Sequence, residues 1–159
     1  MVINFILNKE SVSVDTPTDI TLLTLLRDYL KLTGAKEGCE VGECGSCAVM
    51  LDGKLVNSCL VAAPSVMGRE VITIEGIHAQ DGGPNDLQQN FISKGAVQCG
   101  FCTPGMVVAG EALLAKKIDP SRLEIREALA GNLCRCTGYM QIVDAIETTA
   151  KERSKKSEE

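Results

Sequence analysis

Apolar and polar residues alternate at the start of the chain: Ile3, Phe5 and Leu7 share one face, and Val12 and Val14 resume the period after Asn8, Lys9 and Glu10. A period of two marks a half-buried strand, so this stretch reads as a two-stranded hairpin. The spacing then becomes helical. Leu22, Leu25, Leu26, Tyr29 and Leu30 would line one helix face, with Thr18 placed to cap it and Gly34 to end it. Residues 48–51 and 54–57 flank Asp52-Gly53, a strong hairpin turn signal, and residues 71–74 supply one more strand.

Beyond Ile77 the pattern changes again. Asp81-Gly82-Gly83-Pro84 reads as a linker, and helical periodicity follows at 85–93, 103–116, 121–130 and 138–151. Four short helices of this kind form a bundle. The chain therefore divides into an α+β part over 1–76, an all-α part over 84–151 and a disordered, solvated tail over 152–159.

With 159 residues the chain is long enough for one core or two small ones. Its formal charge of -5 argues against a nucleic-acid surface, and the basic stretch in 151–156 is interrupted by Glu152. The apolar run at 2–7 is short and lacks a basic flank, so no secretory leader is expected, and no run approaches a membrane span. These features predict a cytoplasmic protein. Eight cysteines are then better explained by metal than by disulfides, because the cytosol keeps thiols reduced.

Cys39, Cys44 and Cys47 have the spacing C-x4-C-x2-C, with Cys59 after the second hairpin, the pattern of plant-type 2Fe-2S ferredoxins. Gly38, Gly42 and Gly45 let a loop bring its backbone close to a cluster, a need that a zinc site lacks. Glu40 and Glu43 in the same loop read as solvated.

The second set, Cys99-x2-Cys102 and Cys134-x-Cys136, leaves zinc open on spacing alone. Its flanks favour an anionic cluster: Thr103 and Thr137 read as helix caps, with Pro104 at a first helical position, so two helix N-termini would point at the metal. Arg135 adds a cation between two ligands, and Phe101 could shield the site. His78, the single histidine, reads as a surface residue, and Met106 as core. The carboxylates show no acid-base pairing, and there is no glycine-rich nucleotide motif.

Three motifs carry a resemblance: Gly38-Cys39 through Cys44-Gly45-Ser46-Cys47, Val97-Gln98-Cys99-Gly100-Phe101-Cys102-Thr103-Pro104-Gly105, and Gly131-Asn132-Leu133-Cys134-Arg135-Cys136-Thr137-Gly138-Tyr139. Over nearly its whole length the chain resembles the small iron-sulfur subunit of the xanthine dehydrogenase, aldehyde oxidase and carbon monoxide dehydrogenase family of molybdenum hydroxylases. The resemblance implies an N-terminal β-grasp domain and a C-terminal four-helix bundle, each with a 2Fe-2S cluster. It also implies an electron-transfer subunit of an oxidoreductase, with no substrate-converting site of its own. Its partners would be a large subunit holding molybdopterin, as the cytosine dinucleotide, and a medium subunit holding FAD. A dimer of heterotrimers is one assembly this allows.

By the same resemblance, Cys99, Cys102, Cys134 and Cys136 would hold the cluster nearest the pterin, and Cys39, Cys44, Cys47 and Cys59 the one nearer the flavin. Gln98 and Cys136 would contact the pterin. Ser46 stands where relatives commonly carry alanine. A free-standing two-cluster ferredoxin and a zinc-stabilised interaction module are the competing readings.

Overall fold

β1 (Val2–Leu7) and β2 (Glu10–Asp15) form the hairpin that the alternation implies, with Ile3 opposite Val14 and Phe5 opposite Val12. The turn residues Asn8 and Lys9 have φ of 51° and 72°, the left-handed geometry of a two-residue hairpin turn. The structure, a computed structural model, describes residues 1–157.

The leucine-rich stretch is helical over a shorter span than its periodicity implies. α1 (Leu22–Thr24) runs into a single π-helical turn at Leu25–Tyr29. Its cap is Thr21 and not Thr18; the Thr21 hydroxyl accepts from the Thr24 N–H at 3.2 Å. The start is displaced because the preceding backbone is already committed. Thr21 bridges Ala62, the Ala63 N–H donates to the Ile20 carbonyl at 3.0 Å, and the Leu22 N–H donates to that of Val61 at 2.7 Å.

β3 (Ala48–Leu51) and β4 (Lys54–Asn57) pair around Asp52-Gly53, and β5 (Glu70–Ile72) completes a five-stranded sheet of order β2-β1-β5-β3-β4. β5 runs parallel to β1 and antiparallel to β3. It lies one to two residues earlier than the expected 71–74. The Thr73 N–H donates instead to the Asn8 carboxamide at 2.9 Å, and a 3-10 turn at Ile74–Gly76 follows.

All four residues of β3 are buried, so the sheet is covered on both faces there. Val49 and Leu51 pack into one core with Ile3, Phe5, Leu22, Leu25 and Leu26; Met50 packs into a second with Phe91, Met106, Ile125, Ile142 and Ile146. Burying a side chain of this size stabilises by about 1.5–3 kcal/mol, which makes β3 the shared wall of both halves.

The second core belongs to α2 (Asp86–Ser93), α3 (Thr103–Lys116), α4 (Arg122–Leu129) and α5 (Met140–Ser157). Reciprocal capping boxes start α2 at Asn85 and Gln88 and α4 at Ser121 and Glu124. α5 begins two residues later than expected, because Gly138 and Tyr139 sit at φ of 64° and 70°, outside the helical region. It also runs on to Ser157. There the Arg153 guanidinium meets Asp86 at 2.6 Å and Glu111 at 2.8 Å, fastening α5 to α2 and α3. The tail expected over 152–159 is thus helical through Ser157, and Glu158 and Glu159 lie outside the described residues. Among the described residues no helix is long and apolar enough to cross a membrane.

Candidate metal centres

The β3–β4 hairpin delivers two cysteines to one place. Cys47 directly precedes β3, and Cys59 sits in the short 3-10 turn Ser58–Leu60 that follows β4. Both are buried, and the Ser58 hydroxyl donates to the Cys47 carbonyl at 2.7 Å, locking the hairpin ends together. Asn57 ties the same end to the loop by donating to the Gly42 carbonyl at 2.8 Å.

The loop residues Cys39 and Cys44 are partly exposed. The backbone N–H groups of Glu43 and Cys44 point at the Cys39 sulfur, 3.4 Å away each. Such donors favour the thiolate, and the N–H groups of Cys44, Val41 and Glu43 hold the Cys39 thiol down at about 6. Cys59 goes the other way, pushed up to about 11 by burial and by the neighbouring Cys47. Ser46 is buried, with its Oγ 3.1 Å from the Cys44 sulfur and 3.2 Å from the Lys36 carbonyl oxygen.

In the second set Cys102 itself occupies the cap position of α3, and Thr103 is the helix's first residue. The expected cap at Thr103 is absent, and its buried hydroxyl has no partner among the described residues. Thr137 does not cap a helix either, since α5 starts only at Met140. Its hydroxyl accepts from the Tyr139 N–H at 3.2 Å and stands 3.1 Å from the Cys134 sulfur, leaving its own proton for that sulfur. One helix start therefore abuts the cysteines, not two.

Burial pushes the Cys102 thiol up to about 12, with Cys134 and Cys99 adding to it. Burial acts on Cys134 in the same direction, but the hydroxyl and N–H of Thr137 and the N–H of Cys136 outweigh it and hold that thiol at about 7. Contact with Cys99 raises Cys136.

Two further residues shape this loop, and spacing rules gave no role to either. The Tyr139 hydroxyl accepts from the Cys134 N–H at 2.9 Å. Asn132, buried, donates from Nδ2 to the Gly45 carbonyl at 3.0 Å, and the adjacent Leu133 N–H donates to the Cys44 carbonyl at 2.8 Å. Gly45, at φ 70°, is required at this contact because a Cβ would run into the Gly131 carbonyl. The only signal for Asn132 and Tyr139 in the sequence was their membership of the motif around Cys134.

None of the eight cysteines is held in a disulfide. In each set they meet in pairs: Cys39 with Cys44 and Cys47 with Cys59, then Cys99 with Cys136 and Cys102 with Cys134. Two pairs per set fit a two-iron cluster, which takes two thiolates on each iron. The backbone donors aimed at Cys39 and Cys134 suit the same anionic group.

The two sets open onto one cavity of about 370 Å³, lined by Cys39 and Cys44 from the first and by Cys99, Cys102, Cys134 and Cys136 from the second. Phe101 and Arg135 line it as well, and Phe101 is about half exposed. Of its lining residues Cys99, Arg135 and Cys136 are exposed, and Gln98, next to Cys99 in the chain, is exposed as well. His78 lies on the surface and Met106 in the core, as expected; Glu40 and Glu43 are exposed.

Two family models match the chain: a 2Fe-2S iron-sulfur cluster binding domain over residues 5–70 and a 2Fe-2S binding domain over residues 73–147. The chain is 49% identical over 144 residues to the nicotinate dehydrogenase small FeS subunit of Eubacterium barkeri, covering 91% of each. It is 49% identical over 127 residues to the xanthine dehydrogenase iron-sulfur-binding subunit of Escherichia coli O157:H7, covering 79% of each. Among solved structures it superposes on a chain of quinoline 2-oxidoreductase from Pseudomonas putida 86 with a TM-score of 0.92 and 40% identity, covering 98% of this chain and 96% of that one. With two 2Fe-2S-binding domains in this order and relatives matched along most of its length, the chain belongs to the iron-sulfur subunits of the xanthine dehydrogenase and aldehyde oxidase family of molybdenum hydroxylases.

Proposed function

We propose that this chain carries electrons one at a time from a molybdopterin centre on a large partner subunit to FAD on a medium partner subunit. Bound 2Fe-2S clusters would supply the one-electron chemistry. Cys99, Cys102, Cys134 and Cys136 hold the one that receives electrons, and Cys39, Cys44, Cys47 and Cys59 the one that passes them on. In this reading the N-terminal half is a β-grasp domain, the C-terminal half a four-helix bundle, and the assembly a cytoplasmic dimer of heterotrimers.

The observation that carries the reading is the contact between the two cysteine loops. The Leu133 N–H bonds to the Cys44 carbonyl at 2.8 Å, so a ligand of one centre and the residue next to a ligand of the other are joined by one hydrogen bond. That makes a short covalent and hydrogen-bonded route between the centres. In this reading exposed Gln98 hydrogen-bonds a pterin of the large subunit, and exposed Cys136 receives its electron. Substrate selection belongs, in this reading, to the large subunit.

Purification of the native protein under mild conditions tests this. Co-purification of larger chains bearing molybdenum and FAD is expected. A protein isolated alone, with its iron intact and no such companions, would make it a free-standing ferredoxin instead.

A further inference from the structure

We propose that Ser46 is a positioning residue that acts through Cys44: its hydroxyl donates to the Cys44 sulfur and makes the first centre easier to reduce. The inference rests on the reading that Cys39, Cys44, Cys47 and Cys59 hold a 2Fe-2S cluster.

Ser46 is 4% exposed, so water does not compete for its hydroxyl. The Oγ has two acceptors within reach, the Cys44 sulfur at 3.1 Å and the Lys36 carbonyl at 3.2 Å, and one proton to give. A ligating Cys44 is a thiolate, with no proton of its own, so it can only accept. An ionised acceptor forms a bond roughly twice as strong as a neutral one, which directs the proton to sulfur and away from the carbonyl. The backbone is shaped to allow this: a Cβ on Gly38 would stand 2.7 Å from the Ser46 Oγ and 2.9 Å from the Cys44 sulfur.

The two outer ligands are thereby served differently. Cys39 accepts from backbone N–H groups, which no side-chain substitution removes, whereas Cys44 accepts from a side chain that one substitution deletes. Reduction adds one electron to the centre and no proton, and Ser46 keeps its hydrogen throughout. The added negative charge falls partly on the ligating sulfurs, so the bond from Ser46 strengthens on reduction and favours the reduced state.

The test is a dye-mediated redox titration of the holo-complex, followed by electron paramagnetic resonance, for wild type, Ser46→Ala and Ser46→Thr. In Ser46→Ala the reduction equilibrium of the first centre should fall by about tenfold, ~59 mV for one electron. The second centre should not move, and Ser46→Thr, which keeps the hydroxyl, should stay near wild type. An unchanged midpoint in Ser46→Ala with the first signal intact overturns the proposal, as does an equal shift of both centres. If Ser46→Ala loads poorly, Ser46→Gly must show the same fall, and no fall there overturns it too. Wild-type protein with iron for a single centre would instead overturn the cluster assignment beneath it.

Discussion

The backbone N–H of Leu133 donates to the carbonyl of Cys44, 2.8 Å away and far back along the chain, while Asn132 holds the next carbonyl, that of Gly45, at 3.0 Å. Two loops that belong to different halves of the chain are thus clamped side by side. The clamp is polar, buried and specific in register, and it sets the separation of the two cysteine sets.

Asn132→Ala should cost about 1 kcal/mol, the low end for a buried hydrogen bond, because Gly45 still accepts from the Ala48 N–H at 3.1 Å. A midpoint lower by about 3 °C in thermal unfolding is expected. The loosened clamp should also weaken magnetic coupling between the two reduced centres. Unchanged line splitting in the doubly reduced variant would show that Asn132 contributes stability alone.

Gly105→Ala attacks the same junction from α3. A Cβ there would stand 2.6 Å from the Gly45 carbonyl oxygen, and that atom is backbone held from two sides. Overpacking of this kind costs about 1–3 kcal/mol. Calorimetry should show this loss, with iron content falling as the first loop is pushed aside.

Thr137→Val keeps the side chain's shape and removes the hydroxyl that lies 3.1 Å from the Cys134 sulfur. The potential of the second centre should fall while the first holds. The expected direction follows from a lost donor to a ligand whose charge rises on reduction. A titration resolving the two signals checks it.

The elements that position the cysteines were largely open to reading from the sequence, and the junction between them was not. Residues 48–51 and 54–57 are strands as their turn signal implied, and 103–116 is a helix as its periodicity implied. Local chemistry decided those. The α1 start at Thr21 was missed because the bonds of residues 20–22 go to 61–63, a partner that periodicity does not reveal. Tyr139 was missed for a similar reason: its φ of 70° delays α5 and brings its hydroxyl to the Cys134 N–H. That Cys39 and Cys44 open onto one cavity with Cys99, Cys102, Cys134 and Cys136 is a product of tertiary packing that spacing does not reveal.

Arg153 anchors the end of α5, and its removal has a defined pH signature. Asp86 is held below its ordinary 3.8 chiefly by hydrogen bonds from the Arg153 guanidinium. A carboxyl with a depressed folded value adds stability above its unfolded pKa, and that stability is lost as pH falls through the folded value. Arg153→Met should therefore cost about 1–2 kcal/mol at neutral pH, a figure reduced for the pair's partial exposure. The difference from wild type, followed by helical circular dichroism, should shrink below about pH 4. A gap that stays constant down to pH 2 would mean that packing, not the ion pair, fastens the helix.

The electron-carrying role depends above all on what the eight cysteines hold. Metal analysis of the native protein, joined to electron paramagnetic resonance of the reduced sample, should give about four iron per chain, negligible zinc and two distinguishable signals. Stoichiometric zinc, or iron for one centre with a single signal, would contradict it.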